Sequence, residues 1–260
     1  MRGPMQIEQL HYLGRDTGPY STRNSSKGAL VPESQAVFSA LAAGRPIDDV
    51  HRAVLEGKVL RQRARETRRR IWGVLSQRFF SWAPPHWVLA DLAEAARTNA
   101  ACFRPLVYIH YARRDRLTFE FATERLVGMR VVRREDVLDF LAEQEDQHPE
   151  IRRWRESTRI KLAGNLLTAL RDFGVLSGVQ RKTTQRPVIP ANATLHLCRL
   201  LYAEGFRGRN LLEAADWRLF LWEPNDIGAA LGNLAQQQLI RFERSGQTVV
   251  LDVPFEWSSQ

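Results

Sequence analysis

Between about residues 31 and 150, apolar positions recur every three or four residues, which predicts a succession of amphipathic helices. Val37, Phe38 and Leu41 mark one helix of this kind, and Ile71 and Leu75 lie on the apolar face of a longer one. Further helices are expected over about 86–98, 100–112, 114–127 and 134–147. Only a short stretch from Val127 to Val132 is ambiguous between helix and strand.

The pattern changes after residue 150. One helix is expected to end at Gly174, and others over about 193–204, near Asn210 and over Asp226–Gln237. The β-rich run from Trp217 to Leu221 predicts a strand.

Two further β-rich runs close the chain. Leu239–Glu243 and Thr248–Leu251 flank the turn residues Arg244–Gln247 and predict a hairpin directly after a helix. A helix followed by a hairpin is the closing half of a winged helix, in which the helix enters a DNA groove and the hairpin touches the backbone. Leu167–Ile189 offers a weaker second copy, with strands at Val175–Leu176 and Val188–Ile189. The alternative is a small domain that packs a hairpin on a helix without contacting DNA.

We therefore expect a mainly α-helical fold with small β-hairpins. Residues 1–30 are rich in Gly, Pro, Asn and Ser and predict an irregular N-terminal arm. Residues 31–150 predict a compact helical bundle, and residues 151–260 predict a winged-helix-like α+β region.

Charge and cysteine content narrow the function classes. The 260 residues carry 38 Lys+Arg and 29 Asp+Glu, a formal net charge of +9, which favours an anionic partner, nucleic acid first. Cys102 and Cys198 are too few for a disulfide scaffold and fit a reducing compartment. No apolar run approaches the roughly 20 residues of a membrane helix, so we expect a cytoplasmic protein without membrane contact.

Three basic clusters are the candidate DNA-binding residues. Residues 61–70 set six arginines against Glu66 alone, a local charge of +5. Guanidinium groups fork onto phosphate oxygens and displace counterions, so such a helix suits a duplex backbone. The selected residues are Arg63, Arg65, Arg68, Arg69, Arg70, Arg152, Arg153, Arg155, Arg159, Lys161, Arg181 and Lys182. The alternative is that these charges form solvated helix faces that pair with acids.

The late helix over Asp226–Gln237 has no lysine or arginine. Its amide side chains can read adenine, but a helix without cations binds phosphates weakly. Binding to shape and backbone is therefore favoured over sequence-specific regulation.

Catalytic and metal-binding patterns are weak. His196 and Cys198 are two residues apart and point to different sides of a helix. Asp136, Asp139 and Glu143 share a helix face, an arrangement more typical of solvated acids than of a nuclease site. We expect no enzyme activity, metal, cofactor or small-molecule substrate.

A family resemblance joins these segments. Six segments follow one another along the chain: Tyr20-Ser21, Thr67–Ile71, Leu106–Tyr111, Leu170–Leu176, Asp216-Trp217 and the final hairpin. This order resembles the BrxA family, a component of bacteriophage exclusion (BREX) defence systems. The Leu170–Leu176 string and the Asp216-Trp217 pair carry most of this resemblance, which extends over about residues 20–253.

The resemblance implies a helical region similar to the NusB fold, then winged-helix-like structure, and binding to double-stranded DNA without catalysis. It supplies no catalytic residues, and other phage-defence subunits are expected partners. A protein–protein adaptor whose arginines dock acidic partner surfaces remains the main alternative. RNA binding through the NusB-like half is a third hypothesis.

Overall fold

The computed structural model describes residues 13–22, 27–245 and 248–254. Within this part of the chain the fold has eleven α-helices and five short strands, which confirms the mainly helical class. The first seven helices are α1 (Val31–Ala42), α2 (Ile47–Glu56), α3 (Arg65–Phe79), α4 (His86–Thr98), α5 (Ala100–Arg113), α6 (Arg116–Glu120) and α7 (Arg134–Glu143). A π-helical turn, Phe121–Arg125, continues α6, and strand β1 (Val131–Val132) precedes α7.

The back half begins with a 3-10 helix, Pro149–Arg153, and α8 (Glu156–Asp172). It continues with β2 (Leu176–Ser177), β3 (Lys182–Thr184), α9 (Ala191–Ala203), α10 (Gly208–Leu212), a second 3-10 helix (Ala215–Phe220), α11 (Pro224–Gln236), β4 (Arg241–Ser245) and β5 (Thr248–Asp252).

Helix α5 lies at the centre of the bundle. Its side chains are buried all round from Pro105 to Arg113, as expected of a helix that is apolar on every side. It packs against α1 and α4 on the front side and against α9 of the back half. The core is therefore continuous through both halves.

Part of the N-terminal arm is also buried. Residues 13–22 and 27–30 contain no α-helix or strand. Tyr20 nevertheless stacks on His148, with ring centroids 3.7 Å apart, and its backbone N–H bonds to Glu150. The arm is thus packed onto the bundle at this point.

A three-stranded sheet joins the halves in the order β1-β3-β2. Val131 pairs with Thr183, and Leu176 pairs with Thr184, both antiparallel. The strand predicted at Val188–Ile189 is wrong, because β3 forms earlier in the chain and Val188 is 92% exposed. Gly178 begins the tight β2–β3 turn at φ +88°, where a Cβ atom would lie 2.2 Å from the carbonyl oxygen of Arg181.

The closing helix and hairpin form as predicted. Ile227, Leu231 and Leu234 are the buried face of α11, and β4 pairs with β5 from Arg241↔Asp252 to Ser245↔Thr248. Of the predicted turn, Gly246 and Gln247 lie outside the described residues. The strand predicted at Trp217–Leu221 is wrong: this segment is the second 3-10 helix, whose turns direct four of its six side chains into the core.

A chain of buried polar groups connects α4, α5 and α9. His110 and His196 face each other with their Nε2 atoms 2.9 Å apart, and His196 Nδ1 lies 2.7 Å from an oxygen of Asp91. One Nε2 atom must donate to the other, so a single proton lies between the rings. Burial, helped by the nearby His196 and Arg113, holds the pKa of His110 well below its ordinary value of 6.5.

The buried His110 predicts loss of stability in acid. Below pH 6.5 an unfolded chain protonates this residue while the folded chain does not, so the free energy of unfolding falls as the pH falls. Between pH 6.5 and pH 5 the loss amounts to at most about 2 kcal/mol. Urea unfolding at pH 7 and pH 5 will measure it, with His110→Gln as the non-titrating variant. A pH dependence equally steep in both proteins contradicts the assignment to His110.

Candidate nucleic-acid interface

The arginine-rich segment 61–70 forms the connection before α3 and the first turns of that helix. Ile71, Leu75 and Phe79 are buried on one face of α3 and anchor it in the bundle. Ala64, the residue directly before the first turn of α3, is exposed. Five of the six arginines are exposed to solvent, namely Arg61, Arg63, Arg65, Arg69 and Arg70.

The sixth arginine of the segment, Arg68, points inward. It lies on the buried stripe of α3 and is only 9% exposed. Its guanidinium donates to the carbonyl oxygens of Leu55 at 2.7 Å and Gln62 at 2.8 Å, and also to that of Arg63. These bonds tie α3 to the end of α2. Arg68 is therefore a structural residue and is not available to a phosphate.

Two of the five exposed arginines pair with the same carboxylate, that of Glu66. Glu66 accepts from Arg69 at 2.8 Å and from Arg70 at 2.9 Å, which lowers the pKa of Glu66 to about 2. Within the described chain no carboxylate lies within 4 Å of the cationic groups of Arg61, Arg63 or Arg65. Five exposed arginines against one glutamate leave a local charge of +4. Exposed pairs of this kind are weak, so a phosphate competes readily for Arg69 and Arg70.

The second basic cluster, residues 152–161, is partly neutralised by the loop after α7. Arg159 pairs with Glu145 at 2.6 Å and donates to the carbonyl of Ile151, and Arg152 pairs with Glu145 and Asp146. These two arginines therefore join α8 and the first 3-10 helix to the preceding loop.

The remaining members of this cluster are free of such pairs. Arg153, Arg155 and Lys161 are exposed, and among the described residues none has a carboxylate within ion-pairing distance. Arg155 occupies the N-cap position of α8, where its side chain forms no capping hydrogen bond. A cation at a helix N-terminus is disfavoured by the helix dipole. An anion bound there would instead be attracted both by the dipole and by the Arg155 guanidinium.

The third cluster comprises Arg181, Lys182 and the neighbouring Arg186, and only Arg181 lacks a bonding partner among the residues that the structure describes. Arg181 is exposed in the β2–β3 turn. Lys182 donates to the carbonyl of Val179 at 2.8 Å, and the neighbouring Arg186 pairs with Glu223 and Asp226 at the start of α11.

The predicted residues thus separate into two groups. Arg68, Arg152, Arg159 and Lys182 bond to the protein itself, as Arg69 and Arg70 do through Glu66. The others are exposed and have no carboxylate within 4 Å among the described residues, namely Arg63, Arg65, Arg153, Arg155, Lys161 and Arg181. The first cluster lies beside α2 and the second beside the end of α7, and no hydrogen bond between the described residues joins them. A single positive track across both clusters stays a prediction.

The structure also brings together three arginines that are distant in sequence. Arg209, Arg218 and Arg244 line a cavity of about 350 Å³ whose apolar wall includes Trp217 and Trp222. They come from α10, the second 3-10 helix and β4. The sequence holds no local signal for this site, because its three arginines are isolated from one another along the chain and its tryptophans are typical of core residues.

Acidic and nucleophilic candidates have structural roles. Asp136 accepts from the backbone N–H of Arg133 at 2.6 Å and caps α7. Cys198 is buried, and burial raises the pKa of its thiol to about 12. Across residues 13–22, 27–245 and 248–254, no group of three His, Cys, Asp or Glu side chains is placed to hold a metal. None of the helices in these ranges combines the length and apolar character needed to cross a bilayer.

These features define a mainly helical protein with exposed arginine segments and a C-terminal helix–hairpin unit. Comparison with family models identifies it further: the BrxA model matches residues 18–199, and the chain belongs to the BrxA family. It is thus a component of a BREX phage-defence system.

A structural relative supports the fold. The crystal structure of an uncharacterized protein from Magnetospirillum magneticum superposes with a TM-score of 0.58 at 17% identity. The match covers 79% of this chain and 100% of the other. A search of curated proteins found no match.

Proposed function

We propose that this BrxA-family protein is a non-catalytic, double-stranded-DNA-binding accessory of its BREX system. Phosphates would be contacted by Arg61, Arg63, Arg65, Arg69 and Arg70, with help from Arg153, Arg155, Lys161 and Arg181. The observation that carries the proposal is the set of five exposed arginines around Glu66 alone. These charges repel one another, and among the described residues only Glu66 pairs with any of them, through Arg69 and Arg70.

A duplex backbone suits this arrangement physically. DNA carries one negative charge per about 1.7 Å of axis, so closely spaced arginines can each meet a phosphate. Five such contacts give a slope of about −4 to −5 in a plot of log affinity against log salt concentration. Affinity should therefore fall steeply with salt.

Sequence-independent binding is favoured by the character of α11. We interpret the front bundle as NusB-like and α11 with its hairpin as winged-helix-like. The exposed face of α11 carries Asn225, Asn233 and Gln236 but no cation. Amides can contact bases, yet without phosphate contacts beside them they contribute little affinity.

Charge reversal of the unpaired arginines tests the proposal. Arg63→Glu/Arg65→Glu should weaken binding to unrelated duplexes by about tenfold or more and reduce the salt slope by about 2. The measurement is a gel shift or fluorescence anisotropy at two salt concentrations. Arg97→Glu is the control, since Arg97 is also an exposed arginine, 61% exposed, but lies on α4 and pairs with Glu94.

Two outcomes would count against DNA. An unchanged affinity in the folded double variant removes the 61–70 segment from the interface, and tighter binding of structured RNA in direct competition favours the RNA hypothesis.

A protein–protein adaptor is the second candidate function. It is supported by Val179 and Val188, which are 73% and 92% exposed on either side of β3. Exposed branched apolar side chains beside a short strand suit contact with another subunit. Retention of defence subunits on the bound protein after nuclease treatment, without DNA binding by the isolated chain, would favour the adaptor.

A further inference from the structure

The cavity beside the C-terminal hairpin has the composition of a ligand site. It lies between α10, the second 3-10 helix, α11 and the hairpin, and its volume is about 350 Å³. Ligand pockets commonly start at about 300 Å³ and combine apolar walls with a few polar groups. The apolar lining here is Leu212, Ala214, Trp217, Trp222, Pro224, Ile227 and Val249.

An aromatic wall occupies one side of this cavity. Trp217 is fully buried and donates its indole N–H to the carbonyl of Leu211 at 2.7 Å, so its ring is fixed. Trp222 is half-buried and nearly parallel to it, with the centroids 5.8 Å apart and the planes 11° apart. Of this offset pair, Trp222 is the accessible member, and its apolar surface suits another flat ring.

Cations form the rim of the cavity. Arg218 and Arg244 are exposed, and within the described residues neither has a carboxylate within 4 Å. Arg218 interacts with Glu124 only electrostatically, from beyond ion-pairing distance. Arg244 reaches over α11, where one of its nitrogens lies 3.9 Å from the position of a Cβ atom on Gly228.

The rim as a whole is positive. The third arginine, Arg209, pairs with Glu213 at 2.6 Å, so three arginines and one glutamate leave a local charge of +2. The neighbouring Arg241, on the same strand as Arg244, is neutralised by Glu243. The uncompensated charge is therefore concentrated at the cavity.

We propose that this cavity binds a nucleotide, with the base against Trp222 and the phosphate between Arg218 and Arg244. The indole wall suits a planar ring, and the two guanidinium groups that line the same cavity suit a phosphate. A nucleotide joins both features in one molecule. The source is either a free mononucleotide or the phosphorylated end of a single strand. This site is separate from the 61–70 arginines and does not depend on the duplex-binding proposal.

Calorimetric titration of the full chain with matched probes tests the site. AMP should bind with a Kd of about 100 μM or below, and about tenfold more tightly than adenosine or inorganic phosphate, each of which lacks one half of the ligand. A 5′-phosphorylated hexadeoxyadenylate distinguishes the sources. Tighter binding of the oligonucleotide identifies a strand end, and equal or weaker binding identifies a free nucleotide.

Variants assign the binding to the cavity. Arg218→Ala/Arg244→Ala should weaken AMP binding by about tenfold or more, while Arg241→Ala, the control from the same strand, should leave it unchanged. Trp222→Leu gives a second test through the aromatic wall, and melting curves will verify that each variant is folded. Arg63→Glu/Arg65→Glu should keep AMP binding whether or not it loses duplex DNA.

Several results would overturn the proposal. These are no binding of either nucleotide probe, equal affinity for phosphate and AMP, or an Arg241→Ala loss as large as that of the double variant. Binding of an acidic, tryptophan-containing peptide without AMP binding would make the cavity a protein-docking site.

Discussion

Arg113→Met is expected to lower the free energy of unfolding by about 3–5 kcal/mol, because it leaves two buried carboxylates with only the partly exposed Arg15 as their cation. Arg113 is fully buried at the end of α5 and pairs with Glu204 of α9 and Asp216 of the second 3-10 helix. It also donates to the carbonyl of Leu13 at 3.0 Å, while Arg15 pairs with Asp216 from the arm. One side chain thus connects four parts of the chain.

The two carboxylates should respond differently to neutralisation. Burial raises the pKa of Glu204 despite the adjacent Arg113, so the charge of Glu204 contributes less to stability than that of an acid with an ordinary pKa. Glu204→Gln should therefore cost about 1 kcal/mol or less, whereas Asp216→Asn, which removes the partner of both arginines, should cost about 3 kcal/mol. Urea unfolding at pH 7 measures all three variants. Equal losses from Glu204→Gln and Asp216→Asn would contradict this division of charge.

Trp217→Ala is expected to cost about 3–5 kcal/mol, the usual range for truncating a fully buried large aromatic. Trp217 is 0% exposed, packs beside Trp222 and bonds to the carbonyl of Leu211. Truncation leaves a cavity and an acceptor without its donor.

A smaller change separates these two causes. Trp217→Phe keeps most of the ring volume but loses the bond to Leu211, and should cost about 1–3 kcal/mol. Thermal or urea unfolding followed by circular dichroism is the measurement. A loss below about 1.5 kcal/mol for Trp217→Ala would mean that the surrounding core collapses around the site.

The contact of Arg113 with the segment around Trp217 shows which part of the fold could not be predicted from the sequence. Long periodic helices and the closing hairpin are predictable, because each depends on a local pattern of apolar residues. The segment around Asp216 and Trp217 is rich in strand-forming residues but is fixed by Arg113, which lies 103 positions earlier. A contact so remote in sequence overrides local propensity and has no local signal.

The candidate interface was predictable only in part. The cluster at 61–70 can be recognised in the sequence from its density of arginines, and charged side chains of this kind are expected to be exposed. Arg68 could have been separated from the set, since it lies three and seven positions before the buried Ile71 and Leu75. The partners that neutralise Arg152 and Arg159, and the arginines around the hairpin cavity, depend on tertiary packing alone.

The order of strands in the small sheet has a consequence for how the protein is made. β3 lies between β1 and β2. Val131 and Val132 therefore pair with Thr183 and Lys182, which are translated about fifty residues later. On the ribosome, the strand in the front half stays incomplete until Thr184 has left the exit tunnel. Maturation of the leading helices is thereby coupled to synthesis of the trailing ones.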